Sequence, residues 1–206
     1  MKKLIVIAGI FIVLVIMGLI LVVIAGGSYN RLVKLSQGVD SQWAQVQNVY
    51  QRRADLIPNL VSTVSGAANF EKTTLTEIVT ARASVGQMKI DPNSAPTDPA
   101  KLAEFEKTQG ALSSALSRLL VVSENYPELK ANANFRDLQA QLEGTENRIS
   151  VERGNFNAAV QAYNTAVKSF PTVFYAGMMG FKDKPYFAAV AGADKAPAVQ
   201  FDFNKK

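Results

Sequence analysis

The sequence predicts an all-α protein: an N-terminal transmembrane helix, a long-helix antiparallel bundle and a mostly irregular C-terminal tail. Three observations carry this. Residues 4–25 form an unbroken apolar run of 22 residues. From Leu32 to Phe170 apolar residues recur at intervals of three and four, the period of a helix with one buried stripe. The last 35 residues lose that period and scatter aromatics among Gly, Ala and Pro. The corresponding divisions are an anchor (1–27), a helical bundle domain (28–171) and an aromatic-rich tail packed on or near the bundle (172–206).

As a helix, the apolar run extends roughly 33 Å at about 1.5 Å per residue, enough to cross a hydrocarbon core. Seventeen of its residues are Leu, Ile, Val or Phe and none is charged. A cleaved signal peptide is the alternative, with Ala25 and Gly27 as the small residues before a cut, but its apolar region would be only about 7–15 residues. Gly9 and Gly18 do not form the small-xxx-small pair of tightly dimerising membrane helices. Lys2 and Lys3 precede the run, while Arg31 and Lys34 follow it. This balance mildly favours a cytoplasmic N-terminus and a domain outside the cytoplasm.

The first bundle helix carries Leu32, Leu35, Val39, Trp43, Val46, Tyr50, Ile57, Leu60 and Val64 on one stripe, with Trp43 expected in the core. Pro58 lies inside this pattern. It lacks an N–H and crowds the carbonyl of Ala54, so a kink is expected there. Ser65-Gly66 marks the end. A second helix is expected over 71–88, with Leu75, Ile78, Val79, Arg82 and Val85 on a shared face; Thr74 and Glu77 have capping-box spacing or simply lie within the helix. A proline-punctuated loop, 91–99, follows. Asp98 suits an N-cap and Pro99 the first helical position.

The third helix repeats Leu102, Phe105, Gln109, Leu112, Leu116, Leu119 and Ser123, a heptad with two polar interruptions, and Tyr126-Pro127 ends or bends it. The fourth runs from Phe135 through Leu138, Leu142, Thr145, Ile149, Phe156 and Tyr163 to Phe170, where Pro171 stops it. Gly144 and Gly154 within it are expected at close helix packing. The repeated spacing implies a left-handed, coiled-coil-like bundle with shallow crossing angles.

Composition excludes much chemistry. The chain has no cysteine and no histidine. Disulfides, thiolate catalysis, Ser-His-Asp triads and histidine metal sites are therefore impossible. Without Lys2 and Lys3, 20 basic residues face 17 acidic ones (22 − 2 against 17), a balance too mild for nucleic acid. No phosphate loop, dinucleotide fingerprint or calcium loop is present. Carboxylate-only chemistry survives, but Glu104 and Glu106 point to different helix faces and Glu128 lies beyond the turn from Glu124. The expectation is a protein that is not an enzyme and needs no cofactor or metal.

Several segments together resemble the LemA family: Tyr29-Asn-Arg-Leu-Val33, Arg52-Arg-Ala-Asp-Leu-Ile-Pro-Asn-Leu-Val61, Ala81-Arg-Ala83, Glu124-Asn-Tyr-Pro-Glu-Leu-Lys130, Phe135-Arg-Asp-Leu-Gln139, Leu142-Glu-Gly-Thr-Glu-Asn-Arg-Ile149 and Phe170-Pro171. Their order and spacing match across nearly the whole chain. Phe156-Asn157 departs from the family pattern, which has a tyrosine before the asparagine. The resemblance implies a single-pass protein of the bacterial plasma (inner) membrane with an α-helical bundle; it does not imply an enzymatic activity, because the family's molecular role is not established. The family is described with its domain in the cytoplasm, the reverse of the charge reading. The same name has been attached to an unrelated sensor kinase, and a chain without histidine cannot be a histidine kinase.

The unusual local chemistry lies at Arg52, Arg53, Asp55, Pro58 and Asn59, at Glu124, Tyr126 and Pro127, and at Glu146, Asn147 and Arg148. These are candidate structural or partner-docking residues. Arg53 and Ile57 are four apart, so one arginine leans inward, and pairing of Arg52 or Arg53 with Glu143 or Glu146 would fix helix register around Pro58. Glu124 to Glu128 reads as a turn. The expected function is a membrane-anchored scaffold or adaptor. Its partners are the bilayer through residues 4–25 and a second copy or another membrane protein, with no nucleic acid. The alternatives are an envelope stress or transport accessory protein that senses the membrane surface through its tail, and a carboxylate-dependent hydrolase.

Overall fold

A computed structural model describes residues 2–66, 70–88 and 91–188. Among these the chain forms five α-helices and no strand: α1 (Lys2–Ser65), α2 (Lys72–Gly86), α3 (Pro99–Ser123), α4 (Pro127–Ala131) and α5 (Ala133–Lys168). A 3-10 turn, Thr172–Phe174, follows α5.

The apolar run and the first bundle helix are one continuous element. α1 is 64 residues long and its N-terminal part is long and apolar enough to cross a membrane. The large side chains from Ile10 to Ile20, with Val22 and Val23, are exposed, so the bundle does not use them. From Leu32 onward the same helix buries its stripe. It continues through Pro58 and ends at Ser65, just before Gly66. α5 packs antiparallel along it. Leu32 shares a core with Ala166 and Val167, while Ile57 and Leu60 share one with Leu138 and Leu142.

α2 and α3 cover the other side. α3 starts as its sequence dictates: Pro99 takes the first position and Asp98 Oδ1 accepts from the Ala100 N–H at 2.8 Å. α2 begins at Lys72 after Glu71, so Thr74 and Glu77 lie within it and form no capping box. Pro127 does more than end α3, which stops at Ser123. It opens α4, because its fixed φ and missing N–H suit a first helical turn. Gly144 and Gly154 do not mark close packing, since both are exposed and a Cβ on either would meet nothing within 4 Å.

The core divides into two apolar clusters along the bundle. The one nearer the apolar run gathers Leu32, Val39, Trp43, Val46, Tyr50, Phe105, Phe156, Val160 and Phe187. The distal one gathers Ile57, Leu60, Val64, Phe70, Ile78, Leu112, Leu119, Leu129 and Phe135. Trp43 is fully buried. Phe105, Phe156 and Phe187 surround its ring at 5.2–6.1 Å between centroids. Phe187 places part of the tail in the core, while Phe201 and Phe203 lie outside the described residues.

Candidate functional site: the polar layer at Arg53

Between the two apolar clusters lies a buried arginine. Arg53 is 1% exposed, on the stripe one turn before Ile57. Two neighbouring helices supply its hydrogen-bond partners. Nη1 donates to Ser113 Oγ at 2.6 Å on α3 and to Glu146 Oε1 at 2.7 Å on α5. Nη2 donates to the main-chain carbonyl of Gln109 at 3.2 Å and to its side-chain oxygen. The guanidinium also stacks over the Tyr50 ring, 5.0 Å from its centroid. Burying a charge is tolerable only with such saturation. Nε makes no hydrogen bond among the described residues, and the ring face partly offsets that.

Glu146 is half in water, its side chain 45% exposed. The pair therefore joins a dry cation to a wet anion. A second pair lies beside it: Arg153 Nη2 donates to Glu106 Oε1 at 2.6 Å and to the carbonyl of Ala188 at 3.0 Å. Both pairs, with Tyr50 and Ser113, line a cavity of about 570 Å³. Burial raises the pKa of Glu106 by more than Arg153 lowers it. Burial likewise raises that of Tyr50, against the pull of Arg153 and Arg53, so its phenol stays protonated at neutral pH. Each carboxylate here already accepts from an arginine, and Arg53 ties α1 to α3 and α5.

Other predicted site residues lie elsewhere. Arg52 is exposed. Asp55 is exposed and accepts from Gln51 Nε2 at 2.8 Å, and Glu143 accepts from Gln139 Nε2 at 3.0 Å. Asn59 is exposed, its carbonyl taken by Thr63 Oγ1 at 2.8 Å. Asn147 and Arg148 face outward on α5. Glu124 pairs with Lys130 on the surface, and the Tyr126 ring packs 4.9 Å from Phe70 in the distal cluster. Pro127 is exposed at the start of α4. The Glu124–Pro127 turn is thus separate from the arginine layer. The carbonyl that Pro58 frees is not open to a partner, because Arg82 Nε on α2 donates to Ala54 O at 3.1 Å.

A third polar group was not singled out from the sequence. Residues 181–188 run along the bundle without regular structure, held by side-chain amides of α5. Asn164 accepts from Lys184 N at 2.9 Å and donates to Lys184 O at 2.8 Å. Asn157 does the same for Phe187 at 2.9 and 3.1 Å. Lys184 Nζ reaches Asp40 Oδ1 at 2.9 Å, and Asp40 also accepts from Ala95 N at 3.1 Å. The seven-residue spacing of the two asparagines, two helical turns, was the available signal. Among the described residues no cluster of three metal-ligating side chains occurs.

An apolar helix of membrane-spanning length that threads on into a bundle keyed by a buried arginine defines a class: membrane-associated, all-α proteins built around one long helix. The model of the LemA family matches residues 42–201, and this chain belongs to the LemA family. It is 26% identical over 181 residues to "Magnetosome protein MamQ 2" of Paramagnetospirillum magneticum, covering 81% of this chain and 66% of that protein. It is 33% identical over 78 residues to "Magnetosome protein MamQ" of Magnetospirillum gryphiswaldense, covering 38% and 29%. "Protein LemA" of Metamycoplasma hominis is 24% identical over 147 residues, covering 71% and 62%. The chain thus spans just under two thirds of the length of MamQ 2 and of that LemA protein. Family and relatives together make this a LemA-type membrane protein.

Proposed function

We propose that this protein is a membrane-anchored scaffold or adaptor that acts by binding rather than by catalysis. The observation that carries the reading is the continuity of α1. One helix joins the apolar segment to the bundle core with no linker between them, so a bundle face is held at a fixed height and tilt above the bilayer. A tethered enzyme gains little from such rigidity, whereas a surface that must meet a neighbour in register gains much. The arginine layer supports this by fixing the register of α1, α3 and α5.

The setting we propose is a bacterial plasma membrane, crossed once by residues 4–25, with the domain outside the cytoplasm as the flanking charges favour. Partners would be a second copy or another membrane protein. A second reading, an accessory protein that senses the membrane surface, is favoured by the exposed apolar turn that follows α5. Chemical crosslinking in native membranes, read by mass spectrometry, tests the scaffold reading. Reproducible crosslinks from the bundle to a defined neighbour or to another copy are expected. Release of the chain by carbonate, or turnover of a substrate abolished by one Glu substitution, would overturn it. Protease accessibility in spheroplasts decides the sidedness.

A further inference from the structure

We propose that the turn region 169–180 is a lipid-contacting foot, with Phe170, Val173, Phe174 and Met178 seated in the interfacial layer of the bilayer that holds α1. The inference rests on the anchored reading above and gives the bundle a second membrane contact.

The burial pattern of this segment is inverted. Its small residues go inward, with Thr172 at 8% and Ala176 at 1% exposure. Its large apolar ones go outward: Phe170 at 81%, Val173 at 50%, Phe174 at 73% and Met178 at 84%. Phe170 and Phe174 form an edge-to-face pair, 5.9 Å between centroids. Single exposed apolar residues are ordinary; four within nine residues make a patch that a partner or a membrane normally covers. Residues 169–180 include no charged residue, and Lys168 and Lys182 bracket them. Lys168 pairs with Asp183 at 2.6 Å, so the exposed Lys182 is the lysine whose stem suits an interfacial segment, lying along apolar surface with its ammonium group among headgroups.

Position selects lipid as the occupant. α5 runs antiparallel to α1, so its C-terminal end lies beside Leu32, and the turn caps the membrane-facing end of the bundle. Gly180, at φ 85°, reverses the chain, and the Phe181 N–H bonds to Ala176 O at 3.0 Å. The Phe181 ring then meets Tyr29 on α1, 5.5 Å between centroids. Tyr29 lies four residues past Ala25, or about 6 Å along the helix. The headgroup layer is roughly 5–8 Å thick on each side of the hydrocarbon core. With residues 4–25 spanning, Tyr29 sits at headgroup depth, where aromatic belts form, and the foot shares that level.

The chain has no cysteine, so single-cysteine variants can carry an environment-sensitive NBD probe without background labelling. Full-length Leu14→Cys, Val121→Cys, Phe174→Cys and Met178→Cys chains are labelled and reconstituted into phosphatidylcholine vesicles, with far-UV circular dichroism confirming helix content. Two independent foot positions guard against one misfolding. Probes at 174 and 178 should shift to the blue, resist aqueous iodide and be quenched most by lipids brominated near the headgroup end of the acyl chain. The probe at 14 should be quenched most by deep bromines, and the probe at 121 should remain open to iodide. A lipid-buried probe at 14 with iodide-accessible probes at 174 and 178 overturns the foot and leaves the anchor standing. A probe at 14 outside the lipid overturns the anchored reading itself. Shielding at 174 that grows with protein density, without bromine quenching, overturns the proposal in favour of a second copy covering the patch.

Discussion

Arg82 on α2 donates its Nε to the main-chain carbonyl of Ala54 on α1 at 3.1 Å, and that carbonyl is the one Pro58 leaves without its helical partner. A proline at position 58 removes the donor that would serve residue 54. A side chain from a neighbouring helix replaces it, so α1 passes through a proline and remains one element. The contact also fastens α2 to α1.

Arg82→Ala should therefore destabilise the protein by about 1 kcal/mol, the cost of an unsatisfied, largely buried carbonyl. The same substitution should cost less in a Pro58→Ala background, where residue 58 regains an N–H for Ala54. Thermal or denaturant unfolding of the four full-length chains in detergent, combined as a double-mutant cycle, measures this. Equal costs in both backgrounds would show that Arg82 does not serve the freed carbonyl.

The Arg53 layer predicts an asymmetry. Glu146→Ala removes one acceptor from a charge that keeps Ser113 and Gln109, and Glu146 is itself near water. A loss of about 1.5–3 kcal/mol is expected, the range for a hydrogen bond to a charged group. Arg53→Ala empties the layer and leaves several polar partners unpaired, for about 3–5 kcal/mol. Arg53→Met, of similar volume, should cost less than the alanine variant: both remove the buried charge and leave the same partners unpaired, but methionine fills the space that alanine leaves empty. Unfolding midpoints of the three variants test the order.

Gly144 and Gly154 sit on the exposed side of α5 with open space where a Cβ would go. Gly144→Ala and Gly154→Ala should each stabilise the helix by roughly 0.5–1 kcal/mol, because alanine loses less backbone entropy. A raised melting temperature in each variant, additive in the pair, is the expected result. A lowered one would mean that a neighbour packs against the surface they occupy.

Glu106 carries a pH signature. Burial raises its folded pKa above the unfolded value, so the folded state holds the proton more tightly. Its contribution to stability is full below the unfolded pKa, about 4.3, and is lost as pH rises through the folded value. Glu106→Gln lacks this titration. Melting temperatures of parent and variant between pH 4 and pH 7 should diverge in the variant's favour as pH rises. A difference that stays flat, or moves the other way, would show that the Arg153 contact outweighs burial.

The sequence by itself determined most of the elements, though not the short α4 or the continuity of α1 from the apolar run into the bundle. The apolar run and the three-and-four spacing produce helices because a helix has one such period and a buried stripe must follow it. Asp98-Pro99 placed the start of α3, and Ser65-Gly66 the end of α1, through local backbone chemistry. The inward lean of Arg53 was legible because it shares a face with Ile57. Only the tertiary structure decided which partners meet. Glu146 rather than Glu143 reaches Arg53, and Gln109 becomes a ligand of the guanidinium rather than a flaw in a heptad. Arg82 serves Ala54, and Asn157 and Asn164 grip the tail at Phe187 and Lys184. A helix's period fixes which side chains share its face, but the partner opposite depends on how the helices dock. The tail has no period at all, so its burial of Phe187 and exposure of Phe174 follow from where α5 delivers it beside α1.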